Sequence, residues 1–190
     1  LDVDGTANLD AVDVDGTVNF AADVTFADGA DIITASAGTS NVRVGVNAGN
    51  SITSGGNFNV VVGDEAGTAI STGDSNVLIG YQSGDAITTA EQNVAVGRGT
   101  LTTNILSDAN VAVGNGALFT HNQATSTDSY NVAVGDNSGA AVTTGVQNTL
   151  IGGLAGDALT DADFNVAVGK EALTTDTLGS KSVAVGMGTL

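Results

Sequence analysis

Cysteine, proline and tryptophan are all absent from the 190 residues. Without cysteine there is neither a disulfide framework nor a thiolate metal site, and the redox compartment is left open. The single histidine, His121, excludes a His-based triad or a multi-histidine metal centre within this segment, and it is read as a loop residue. Only Arg43, Arg98, Lys170 and Lys181 are cationic, against 21 acids, for a formal charge of −17. A phosphate backbone has almost nothing to hold, so no nucleic-acid partner is expected. Aromatics are sparse, with five Phe and two Tyr, too few for an ordinary globular core. No run approaches the roughly 18 apolar residues of a membrane span and no tripartite leader opens the chain, so no membrane insertion of this segment is expected.

What is present is glycine, 27 residues of it, and a hydrophobic fraction of 42% made mostly of Val and Ala. That is too apolar for a disordered chain, so order must come from repetition. A pattern N-V-x-V-G begins at Asn41, Asn59, Asn76, Asn93, Asn110, Asn131, Asn148 and Asn165, and again at Ser182 with serine in place of asparagine. Successive starts lie 18, 17, 17, 17, 21, 17, 17 and 17 residues apart. Helical repeat families have longer periods, and V-x-V is a short β-branched alternating run, so each repeat reads as one coil of a β-solenoid. The expected fold is all-β: a parallel β-solenoid, of β-roll or β-helix type, with nine 17-residue-type coils over residues 41–190. The last coil stops partway at Leu190, as expected of one piece of a longer polypeptide.

Gly45, Gly63, Gly80, Gly97, Gly114, Gly135, Gly152, Gly169 and Gly186 close the strands, where positive φ or a tight backbone approach is expected. The asparagines mark the preceding corner, either as plain turn formers or as a stacked amide ladder. Seven residues after each asparagine the side chain is always small, from Ala48 to Thr189, which suits a narrow core. The next position is glycine at 49, 67, 84, 139 and 156 but leucine at 101, 118, 173 and 190. Where glycine stands, an aliphatic residue follows three positions later (Ile52, Ile70, Ile87, Val142, Leu159); where leucine stands, that position is Asn104, His121 or Asp176. Since a close-packed interior tolerates neither a missing nor a duplicated side chain, one core slot is being filled from two places.

The middle residue of V-x-V points away from its two neighbours, because side chains alternate along a strand. It reads Val61, Leu78, Ala95, Ala112, Ala133, Leu150, Ala167 and Ala184, with Arg43 alone departing. The strand is therefore apolar on both faces, and these eight middle residues are assigned to an oligomer interface, with the flanking valines inside.

Residues 1–40 differ. D-V-D-G-T-x-N occurs at Asp2–Asn8 and again eleven residues later at Asp13–Asn19, with a degenerate copy over Val24–Ile32. Short strands joined by Asp-Gly turns are expected there, a stalk or entry segment leading into the coils. The longer interval between Asn110 and Asn131, with its polar stretch His121–Ser129, reads as a protruding loop. Phe119 and Tyr130 flank it, either covering the coil edge or stacking on a sugar or protein.

Several motifs invite a chemistry that the rest of the chain does not support. L-D-V-D-G-T at Leu1–Thr6 looks like the nucleophile motif of haloacid-dehalogenase-type phosphatases, but it recurs inside a short repeat and no alternating βα pattern follows, so no enzyme activity and no cofactor are expected. Asp2, Asp4, Asp13 and Asp15 are the only candidates for a calcium ion, and neither an EF-hand loop nor the G-G-x-G-x-D nonapeptide accompanies them. Thr pairs at 88–89, 102–103, 143–144 and 174–175 raise ice binding, yet adjacent threonines on a strand face opposite ways.

The N-V-A-V-G repeats resemble the head repeats of YadA-like trimeric autotransporter adhesins, whose repeats are somewhat shorter. Together with L-D-V-D-G-T-A-N-L-D at Leu1–Asp10 and A-G-N-S-I-T-S-G at Ala48–Gly55, they resemble more extensively the tail-fibre proteins of marine bacteriophages. The second resemblance implies a homotrimeric virion appendage, partnered by itself, by other tail or virion proteins and by a host-surface glycan or protein. The first implies the head of an adhesin on a bacterial cell surface.

Overall fold

The computed structural model describes residues 36–190, with Asp15 and Val18 alone before them. The 11-residue pseudo-repeats, and with them Asp2, Asp4 and Asp13, lie outside the described residues; Asp15 is exposed. The chain divides into two compact units, 1–32 and 33–190.

Within the second unit the described residues are all-β, with no helix. Each V-x-V forms a three-residue strand: β1 (Val42–Val44), β2 (Val60–Val62), β3 (Val77–Ile79), β4 (Val94–Val96), β6 (Val111–Val113), β8 (Val132–Val134), β9 (Thr149–Ile151), β10 (Val166–Val168) and β11 (Val183–Val185). They make one parallel nine-stranded sheet in strict chain order, the arrangement a solenoid requires because each turn of the chain lays its strand beside the last. The register never slips, so that Val61, Leu78, Ala95 and Ala112 lie directly side by side. Two shorter strands, β5 (Ser107–Asp108) and β7 (Thr127–Asp128), pair in parallel on another wall beside the long interval.

The asparagines form a ladder. Each Oδ1 accepts the backbone N–H of the asparagine, or of Ser182, one coil further on, at 2.8–3.2 Å. The Nδ2 of Asn59, Asn76, Asn93, Asn110 and Asn148 also donates to the Oδ1 of the preceding coil. Most Nδ2 groups reach across their own coil as well, to the carbonyls of Gly56, Gly73, Ala90, Ser107, Gly145, Ala162 and Gly179 at 2.8–3.0 Å. A buried amide whose oxygen and nitrogen both find partners costs little and fixes register.

That inward asparagine also decides which face of the strand is the core. The middle residue of V-x-V lies two positions beyond it, on the same face of an alternating strand. Val61, Leu78, Ala95, Ala112, Ala133 and Leu150 are accordingly 0% exposed inside the coil, as is Ala167, with Ala184 at 2%. Their assignment to an oligomer interface is corrected: they are core, and the flanking β-branched residues face outward. Arg43, at the same position in the first coil, donates from Nε to the Ala48 carbonyl at 2.7 Å.

The strand-closing glycines need both properties expected of them. Gly97 has φ +139°, and a Cβ there would stand 2.5 Å from the carbonyl oxygen of Gly114 in the next coil. The compensating core slot is equally concrete. A Cβ on Gly84 would lie 2.8 Å from Leu78 Cδ2 and 2.9 Å from Ile87 Cδ1, where the leucine of the other coil kind would enter. Residues 36–40, expected in the entry segment, already stack on the first coil: Thr39 N–H donates to Asn57 Oδ1 and the Thr39 carbonyl accepts from Phe58 N–H.

Candidate functional site

Three surfaces of the solenoid carry candidate functional residues. The first is the outer face of the long sheet. Two side chains per strand point outward from nine strands, and all are β-branched: Val42, Val60, Val77, Val94, Val111, Val132, Thr149, Val166 and Val183 in one column, and Val44, Val62, Ile79, Val96, Val113, Val134, Ile151, Val168 and Val185 in the other. None is charged, in a chain of formal charge −17. Away from the edge strands, Ile79 and Ile151 are 37% and 40% exposed, and the outward residues of the central strands β4, β6 and β8 are half-buried. At about 4.8 Å per strand the strip is about 38 Å long.

The second is the long interval around His121. His121 is not a loop residue: it is 0% exposed, and among the described residues its two ring nitrogens are buried without a hydrogen-bond partner. It occupies the core position that Val142 fills in the following coil. Removal from water lowers its pKa to about 4, with the Thr143 backbone pulling weakly the other way, so the ring is neutral at pH 7. The protruding part is confined to exposed residues 124–126, after which the chain re-enters the wall at β7.

The third is an exposed corner. The residue before each asparagine has left-handed backbone throughout: Ser40, Phe58, Ser75, Gln92, Ala109, Tyr130, Gln147, Phe164 and Lys181 all have φ between 50° and 62°. Sequence reasoning picked out Tyr130 here but not Phe58 or Phe164; the signal was their common place immediately before the asparagine. Tyr130 donates its hydroxyl to Asp128 Oδ2 at 2.8 Å, and that carboxylate raises the phenol pKa. Phe119, the other residue flanking the long interval, is 44% exposed and belongs to a different column.

Among the described residues no group of three or more His, Cys, Asp or Glu is placed to hold a metal ion. The Thr and Ser hydroxyls at 53, 71, 88, 143 and 160 donate to backbone carbonyls of the next coil, so they serve the stack. No family model, no curated protein and no solved structure matches the chain.

Proposed function

We propose that this chain is a shaft segment of a homotrimeric virion appendage of the bacteriophage tail-fibre kind, which spans distance and contributes to attachment at a host surface. The observation that carries this reading is the uncharged β-branched strip. An uncharged, largely apolar sheet face about 38 Å long is costly to leave in water and suits burial against an identical surface of identical pitch. Three such faces meeting about one axis would bury all three strips without leaving a rim of apolar side chains, and would give an elongated rod. The parallel register and the carbonyl-bonded hydroxyls favour a structural role over a ligand, ion or ice surface, and we assign the segment no catalytic step. The strip serves the head of a bacterial trimeric adhesin in the same way; a membrane β-barrel anchor elsewhere in the same polypeptide would favour that location over a virion.

Sedimentation equilibrium tests the reading directly. The expected mass is three chains, falling to one in a Val96→Glu/Val113→Glu variant, which places two carboxylates at the centre of the strip. A wild-type protein that stays monomeric at micromolar concentration overturns it.

A further inference from the structure

The left-handed corner column holds three aromatic residues that folding does not ask for. Phe58, Tyr130 and Phe164 are 60%, 55% and 45% exposed, so they contribute little to the core. Their φ values of 57°, 50° and 60° lie in the region that glycine and asparagine enter easily and bulky side chains do not. Other coils place Ser75, Gln92 or Gln147 at the same point, so the corner itself has no need of an aromatic ring. Costly backbone strain carried by a residue that is not packed points to use at the surface.

The placement is regular. The column is held in line by backbone hydrogen bonds, with Phe58, Ser75, Gln92, Ala109, Gln147, Phe164 and Lys181 each donating its N–H to the carbonyl of the residue before the corresponding corner residue one coil earlier. Tyr130 and Phe164 stand two coils apart with Gln147 between them, and Phe58 stands four coils from Tyr130. At about 4.8 Å per coil the separations are about 10 and 19 Å, multiples of one two-coil step. Tyr130 is further fixed by its bond to Asp128, while Gln147 lies exposed between the two rings. By contrast Tyr81, in another column, already has a partner: the Arg98 guanidinium sits 5.9 Å from its ring centre.

We propose that the column Tyr130, Gln147 and Phe164, extended by Phe58, is a binding track for an extended, uncharged, β-linked polysaccharide laid along the solenoid axis. Sugar rings present C–H faces that stack on aromatic rings, and their hydroxyls require polar groups in between. The two-coil step is commensurate with the disaccharide repeat of such a chain, in which alternate sugars turn the same face to the protein. The acidic chain disfavours phosphate- or sulfate-bearing polymers, including single-stranded nucleic acid, which would otherwise stack on the same rings. The proposal deepens the attachment-fibre reading by naming the class of surface polymer, and it rests on that reading only for its biological setting.

The test compares wild type with Tyr130→Gly/Phe164→Gly by co-sedimentation with insoluble cellulose, chitin and mannan, with alginate as the charged control. Because glycine is at ease with positive φ, the variant should fold at least as well as wild type and melt no lower. The expected result is retention of wild type on at least one neutral polymer and not on alginate, with at least a tenfold weaker affinity in the variant and an unchanged oligomeric mass. Absence of wild-type binding to all three neutral polymers overturns the proposal, as does equal binding by the variant. So does loss of the oligomer in the variant, which would make the aromatics part of a subunit contact. A monomer that binds glycan would instead overturn the trimer and leave the track standing.

Discussion

The two kinds of coil make an informative comparison, because they fill one core from different positions at different cost. In the coil beginning at Asn76, Gly84 leaves room, Ile87 enters the slot and the inward strand residue is Leu78. In the coil beginning at Asn93, Leu101 fills the slot from a backbone with φ 49°, Asn104 follows and the inward strand residue is only Ala95. A third position leans the same way: every leucine-type coil carries alanine in the middle of its strand, at Ala95, Ala112, Ala167 and Ala184, whereas the glycine-type coils carry Arg43, Val61, Leu78 and Leu150 there, with Ala133 the exception. The leucine kind accepts backbone strain, and in the coils beginning at Asn93 and Asn110 it also houses a polar residue in the core, while Asp176 of a third is only half-buried. Asn104 is satisfied there, exchanging hydrogen bonds with Ser107 at 2.8 and 2.9 Å, whereas His121 has no such partner.

The sharpest way to break this comparison is to fill the slot twice or not at all. Ile87→Ala empties it and is expected to cost about 3 kcal/mol of unfolding free energy in urea titrations. Gly84→Leu duplicates it against Leu78 and Ile87 and should cost a similar amount, about 3 kcal/mol from overpacking together with left-handed strain. The triple change Leu78→Ala/Gly84→Leu/Ile87→Asn rewrites the coil as the other kind and should recover most of that loss. A triple variant less stable than Gly84→Leu alone would show that the slot is not exchangeable.

Acid separates the leucine-type coil that begins at Asn93 from the one that begins at Asn110. His121 has a folded pKa of about 4, below its ordinary 6.5, so protonation favours the unfolded chain. Its neutral-state contribution is complete above pH 6.5 and is lost as pH falls toward 4, by about 3 kcal/mol in all. His121→Asn copies Asn104 and should remove this component. Wild type and variant differ at this position alone, so their stability difference isolates the histidine; pH profiles that run parallel from 7 to 4 would contradict the assignment.

The smallest effect isolates strain alone. Gln92 is exposed at φ 58°, and Gln92→Gly is expected to stabilise the protein by about 1 kcal/mol, read as a rise in melting temperature. A fall would mean that the side chain, not the corner, contributes there.

The period, the strands, the glycine corners and the slot exchange were legible in the sequence because each is a local pattern repeated in register. The inside and outside of the strand were misassigned, because alternation gives opposite faces without saying which is core. The asparagine held the answer, since Asn76 and Leu78 share a face and a buried ladder at Asn76 puts Leu78 inside. His121 was misread for a related reason: polarity suggested a loop, although it stands where Val142 stands one coil later. The aromatic column was hidden because Phe58, Tyr130 and Phe164 acquire meaning only when coils of unequal length are aligned by their asparagines.

The ladder has a consequence for how such a solenoid changes size. A residue gained or lost within the walls would throw one asparagine and one glycine out of line with both neighbours, so small insertions are confined to corners such as 124–126. Growth by whole coils meets no such obstacle, since a copied coil offers the same amide and the same carbonyls to whatever lies on either side. Solenoid length is thus quantised, in steps of about 4.8 Å. Tandem duplication of short gene segments can lengthen the solenoid without redesigning a core.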